Sequence, residues 1–138
     1  PEGIKEVGVY RIFFVSFKPS VINLDIDIKP EEEPNCFNSN SHGVIPVAIF
    51  GKSDFNVRNI NVKTLSLDGL KVKTAGKNQK LLAHIEDVNN DQIDDLVVQF
   101  EDKDIIFDSS KTVATLTGSL IDGTPVEGKD SICIVPNN

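Results

Sequence analysis

Residues Val21–Lys29 read VINLDIDIK, and no other stretch constrains the fold as tightly. Ile22, Leu24, Ile26 and Ile28 fall on one side, with Asn23, Asp25 and Asp27 on the other. That is the period-two alternation of a half-buried strand. Almost no segment carries a helical period; the one helical turn expected is Ser53–Asn59, with Ser53 as its cap. The remaining strand candidates are Val9–Phe17, Val44–Phe50, Val62–Leu67, Leu70–Thr74, Leu81–Ile85, Leu96–Glu101, Thr112–Leu120 and Ser131–Val135. Val9–Phe17 is nearly continuously apolar, as in a strand covered on both faces. Pro46 cannot donate to a ladder, so its strand is expected at an edge or with a bulge. Asp68-Gly69 and Asp122-Gly123 are hairpin-type turns, and Glu31–Ser41 is a polar loop. About nine short strands spaced by turns predict an all-β fold, an Ig-like or jelly-roll-type sandwich of about 8–9 antiparallel strands.

A chain of 138 residues is expected to form one domain, which buries roughly 70% of its unfolded surface. Its body is expected over residues 21–138. Residues 1–20 are markedly aromatic and end at a Pro19-Ser20 break, and they read as an apolar arm or extra strand. The 14 basic and 21 acidic residues give a net charge of −7. That balance argues against nucleic-acid binding, which needs a basic patch, and against docking on anionic membranes. The longest apolar runs, such as Ile12–Val15 and Val44–Phe50, fall far short of the ~20 residues of a spanning helix. No Met is present, so the chain is expected to be a processed product or excised fragment, its signal peptide already removed.

Five of the 21 acidic residues sit within Glu86–Asp95 (EDVNNDQIDD), with no cation among them. Asp87, Asn89, Asp91 and Asp95 occupy positions 1, 3, 5 and 9 of a D-x-N-x-D-x-x-x-D pattern. In a tight loop, alternate side chains at 1, 3 and 5 turn toward one centre. Position 7, here Ile93, offers its backbone carbonyl, and position 9 closes the shell. Such hard oxygen donors suit Ca²⁺, which takes roughly 6–8 of them, better than Mg²⁺, which demands a tight octahedron. An EF-hand would carry Gly at position 6 and Glu at 12, where this loop has Gln92 and Val98. The flanks are strands as well, so a strand–loop–strand calcium site is expected. Asp94 should point away from the metal, and Glu86 is either a ligand or simply exposed. A solvated acidic turn is the alternative.

Five segments occur together in this order: Ile26–Pro30 (IDIKP), Gly43–Phe50 (GVIPVAIF), His84–Val97 (HIEDVNNDQIDDLV), Leu116–Gly118 (LTG) and Asp122–Ile132 (DGTPVEGKDSI). The series resembles a module of secreted bacterial and archaeal multidomain proteins, in which the segments run approximately as IDIKPGS, GVIPVAIL, EDVDGDGDLDLV, LTG and DGTPIEGxDSI. The resemblance covers about residues 26–136 and leaves residues 1–20 outside. It implies an extracellular β-sandwich with a Ca²⁺ loop at Asp87, Asn89, Asp91 and Asp95 and no known catalytic activity. Asn89 stands where that module has Asp, Gln92 where it has Gly, and Glu31-Glu32 where it has Gly-Ser. The first replacement removes a charge and should weaken affinity.

Cys36 and Cys133 are the only cysteines. An even count in a chain expected to be secreted suggests one disulfide, closing a loop of about 98 residues and contributing roughly 3–4 kcal/mol; two buried thiols are the alternative. A Cys₂His₂ zinc site with His42 and His84 lacks the usual C-x₂-C spacing. His84 and Glu86 share a strand face and read as an ordinary pair. No G-x-S-x-G and no phosphate-binding Gly loop is present, and there is no Trp and a single Tyr, Tyr10, to line a sugar cleft. Catalysis is therefore not expected.

Three functions follow. The first is a non-catalytic extracellular calcium-binding module with a structural or adhesive role toward other domains or cell-surface components. The second is a filament subunit in which residues 4–17, through Val9, Ile12, Phe13, Phe14, Val15 and Phe17, add as a donor strand to a neighbouring copy. The third is a carbohydrate-binding accessory module, weakened by the scarcity of Trp and Tyr.

Overall fold

The alternation of Val21–Lys29 survives in the structure, but the strand does not stay in one sheet. The computed structural model describes residues 20–28, 36–38, 43–102 and 112–135. Its strands are β1 (Ile22–Leu24), β2 (Ile26–Ile28), β3 (Cys36–Asn38), β4 (Gly43–Ile49), β5 (Ile60–Leu67), β6 (Leu70–Lys71), β7 (Thr74–Ala75), β8 (Lys80–Leu81), β9 (Ala83–Glu86), β10 (Asp95–Asp102), β11 (Val113–Leu120), β12 (Pro125–Ser131) and β13 (Cys133–Val135). β1 belongs to a five-stranded sheet ordered β1-β12-β11-β5-β6, and β2 to a four-stranded sheet ordered β2-β4-β10-β9. The switch falls at Asp25, whose carbonyl accepts a hydrogen bond from Phe50 N at 2.9 Å. Leu24, Ile26 and Ile28 nevertheless all stay buried. Inward alternation is kept across the corner, so the same apolar residues seal one end of both sheets.

The fold is all-β and sandwich-like. One side of the core comes from Leu24, Leu65, Leu67, Ala114, Leu116 and Val126, the other from Ile28, Ile45, Val47, Ile49, Val98 and Phe100. The alternation on β10 places Leu96, Val98 and Phe100 in this cluster, while Val97 and Ala48, register partners on the opposite face, are buried too. The middle of β4 and the start of β10 are thus buried on both faces, while Val44 at the β4 end is exposed. Gly128 permits the crossing at β1–β2: a Cβ there would lie 2.8 Å from Ile26 Cγ2 and 3.1 Å from the Leu24 carbonyl oxygen. Asp130 links the sheets in the same region, its Oδ2 accepting from Ile28 N at 2.9 Å.

Several expectations need correction. The strands outnumber the expected eight or nine, because Leu70–Thr74 and Leu81–Ile85 are shared among the short pieces β6 to β9. The pairing is not purely antiparallel: β1 runs parallel to β12, and β3 parallel to β13. β12 falls outside the strand candidates, since Glu127, Gly128, Lys129 and Asp130 read as turn-like. It is a strand because Val126 and Gly128 face inward between two partners. β3 lies within the expected polar loop Glu31–Ser41. β4 is an interior strand despite Pro46. Its pairing with β2 ends at Val47, so Pro46 opposes only Gln99 of β10 among the described residues. The helical turn is a 3₁₀ turn at Val57–Asn59, capped by Asn56 rather than Ser53.

Both Asp-Gly turns form as expected. Asp68 and Gly69 take φ of 49° and 91° between β5 and β6, and Gly123 takes 94° between β11 and β12. The arm at residues 1–19, with Val9, Ile12, Phe13, Phe14, Val15 and Phe17, lies outside the described residues, as does His42. Among the described residues no helix is long and apolar enough to cross a membrane.

Candidate metal centre

β9 and β10 pair from Asp95↔Glu86 onward, so residues Asp87–Asp94 form the loop between two antiparallel strands. Asp87 opens it. Its Oδ1 accepts from Asp91 N at 3.2 Å and its Oδ2 from Gln92 N at 2.8 Å. Asp91 Oδ1 then accepts from Ile93 N at 2.9 Å. The Asp91 bond makes an Asx turn, and the Asp87 bonds, reaching four and five residues on, curl the rest of the loop around it. Asn90 and Gln92 accordingly sit at φ of 60° and 67°, a region costly for a residue with a Cβ. The φ of Gln92 is one that a Gly would adopt without strain.

Asp95 closes the loop at the first position of β10 and is fully buried, the only buried charged side chain among the described residues. Its Oδ1 accepts from Gly51 N at 2.8 Å and its Oδ2 from Val88 N at 2.9 Å. Each oxygen keeps a second lone pair. Gly51 must lack a side chain, because a Cβ there would lie 2.2 Å from the Asp94 carbonyl oxygen.

The result is a cluster. Ligand oxygens of Asp87, Asp91 and Asp95 all lie within 4.8 Å of one another, and the group can hold a metal ion. Asn89 completes the ring. The terminal atom of its carboxamide that faces the loop lies 2.9 Å from Asp91 Oδ1 and 3.2 Å from Asp87 Oδ1. A nitrogen there donates to both carboxylates. An oxygen there joins them as a further acceptor, an arrangement that a cation between them would hold.

No cation among the described residues is paired with Asp87, Asp91 or Asp95. The nearby Arg58 instead binds Asp94 Oδ2, on an exposed side of the loop. Asp94 is thus occupied outside the cluster, as its place in the spacing predicted. Glu86 is occupied by His84, whose Nε2 lies 2.9 Å from its Oε1, so the pair is the exposed strand-face pair expected from i and i+2. Ile93 contributes its N–H to Asp91, and its side chain is half-buried.

The structure brings together the predicted Asp87, Asn89, Asp91 and Asp95. Sequence reasoning missed Gly51 and Arg58, which lie 44 and 36 residues from their partners. A glycine straight after an apolar strand was the one local cue for Gly51. Compared with known proteins, the chain matches no family model, no curated protein and no solved structure.

Proposed function

We propose that this chain is a non-catalytic, extracellular β-sandwich module stabilised by Ca²⁺, with a structural or adhesive role. One observation carries the reading: the carboxylates of Asp87, Asp91 and Asp95 and the carboxamide of Asn89 converge on one centre, with no protein cation paired to them among the described residues. The donors are all hard oxygens, which excludes the His- and Cys-rich sets favoured by zinc and copper. A ring of this size, completed by the Ile93 carbonyl and water, suits the irregular, oxygen-rich shell of Ca²⁺ rather than the rigid octahedron of Mg²⁺. The ion binds the folded loop and not the unfolded chain, so it adds stability by linkage. The cluster sits at one end of the sheet ordered β2-β4-β10-β9, where it fixes the β9–β10 connection to the chain following β4 through Gly51. A structural role fits, because the same carboxylates also accept the backbone N–H groups that hold the loop.

Calorimetric titration with Ca²⁺ and with Mg²⁺, and melting in Ca²⁺ and in EDTA, test the reading. One Ca²⁺ taken up per chain, weaker response to Mg²⁺ and a melting temperature that falls in EDTA are expected. No heat of Ca²⁺ binding together with an unchanged melt overturns it.

A further inference from the structure

We propose that Cys36 and Cys133 form an intramolecular disulfide that ties the early chain to the last described strand. The proposal is independent of the metal centre. It rests on register: β3 and β13 pair in parallel with Cys36 opposite Cys133, Phe37 opposite Ile134 and Asn38 opposite Val135. Adjacent strands lie about 4.8 Å apart, within the roughly 4.4–6.8 Å between Cα atoms that a disulfide spans. Two cysteines 97 residues apart in sequence thus share one rung of a ladder.

The surroundings favour a covalent tie. β3 and β13 form a two-stranded sheet of their own, three residues on each side. A ladder this short is not stable by itself. Its C-terminal half is already placed: Ile132 is buried, and its N–H donates to the Thr112 carbonyl at 2.9 Å. The N-terminal half arrives by a longer path. Fourteen residues separate Ile22 from Cys36, whereas seven separate their partners Val126 and Cys133. A crosslink at the shared rung holds the two halves together. Closing a loop that encloses most of the domain also restricts the unfolded chain.

The chemistry balances as ordinary thiol–disulfide exchange. The two thiols lose two protons and two electrons as the S–S bond forms. A small-molecule disulfide of the oxidising compartment accepts them and is cleaved to two thiols.

To test this, the full chain is exported to an oxidising compartment, purified without reductant, and unfolded in the presence of an alkylating agent. Intact mass should show no alkyl group before reduction and two after it, and a non-reducing peptide map should join the Cys36 and Cys133 peptides. Two alkyl groups without reduction, or a link between two chains, overturns the proposal. A double variant, Cys36→Ala with Cys133→Ala, guards against misreading. Reductant should lower the melting temperature of the wild type and leave that of the variant unchanged; an unchanged wild-type melt removes the stapling role.

Discussion

Two loops of this molecule solve the same problem in opposite ways. Asp68-Gly69 and Asp87–Asp94 each join antiparallel strands, β5 to β6 and β9 to β10. The first uses two residues in the left-handed region, and Gly69 N also donates to Ser66 Oγ at 3.1 Å. Its geometry is complete without anything from outside. The second is longer and places left-handed backbone on Asn90 and Gln92 rather than on glycine. It relies on the carboxylates of Asp87, Asp91 and Asp95 to gather its N–H groups, which crowds negative charge at its centre. The short turn is closed by left-handed backbone at Asp68 and Gly69, with neutral Ser66 Oγ as an added acceptor. The long loop is closed by acceptors that a cation would relieve of mutual repulsion.

The largest effect expected to break this comparison is Asp95→Ala. It leaves the N–H groups of Gly51 and Val88 without their acceptor, one of them in a buried bond. A loss of roughly 3 kcal/mol in a denaturant titration is expected without Ca²⁺, and a larger loss with it, because a ligand goes as well. A loss below about 1 kcal/mol would mean that Asp95 does not organise the loop.

Asp91→Ala separates metal from scaffold. Asp91 is exposed and accepts only local bonds, from Ile93 N and the Asn89 carboxamide, so the apo protein should lose less than about 1 kcal/mol. The stabilisation by saturating Ca²⁺, about 2.7 kcal/mol at a hundredfold excess over Kd, should disappear. If the variant still responds fully to Ca²⁺, Asp91 is not a ligand. Gly69→Ala is the control from the other loop. Its φ of 91° predicts a loss of about 1 kcal/mol that no concentration of Ca²⁺ alters. Gln92→Gly runs the other way and should stabilise the apo protein by up to about 1 kcal/mol, because it relieves a φ of 67°. A destabilised Gln92→Gly variant would show that the Gln92 side chain holds the loop.

The smallest effect concerns a third turn. Thr124 N donates to Asp122 Oδ1 at 2.9 Å, and this backbone bond, with the Thr124 hydroxyl, holds the Asp122 carboxyl below its ordinary value. A lowered folded-state pKa stabilises above the unfolded value and is lost as pH falls through the folded one. Protection of the Thr124 amide, its exchange compared with the intrinsic rate at the same pH, should therefore fall only once the pH drops below the ordinary carboxylate range, and Asp122→Asn should abolish that dependence.

Much of this contrast was legible in the residues. Asp68-Gly69 and the alternation of Asp87, Asn89 and Asp91 are local patterns whose geometry depends on neighbours a few positions away. Inward placement of Ile22, Leu24, Ile26 and Ile28 was legible for the same reason. The sheet switch at Asp25 was not, because a period of two is the same whichever sheet receives the strand. β12 was hidden because VEGKDS owes its conformation to partners on both sides rather than to propensity. Asp95 was legible as a member of the cluster. Its burial was not, since that depends on Gly51, 44 residues away.

The parallel pairing of β1 with β12 also governs the order in which the chain can assemble. Ile22, Asn23 and Leu24 find their partners at Val126, Glu127 and Gly128, about a hundred residues later. During synthesis β1 therefore emerges long before its partner strand exists, and the five-stranded sheet cannot close until the chain is made through β12. Contacts of such long range make folding slow, on the millisecond-to-second scale typical of sandwiches. β1 lacks its ladder partner in the meantime, whereas β2 can already pair with β4.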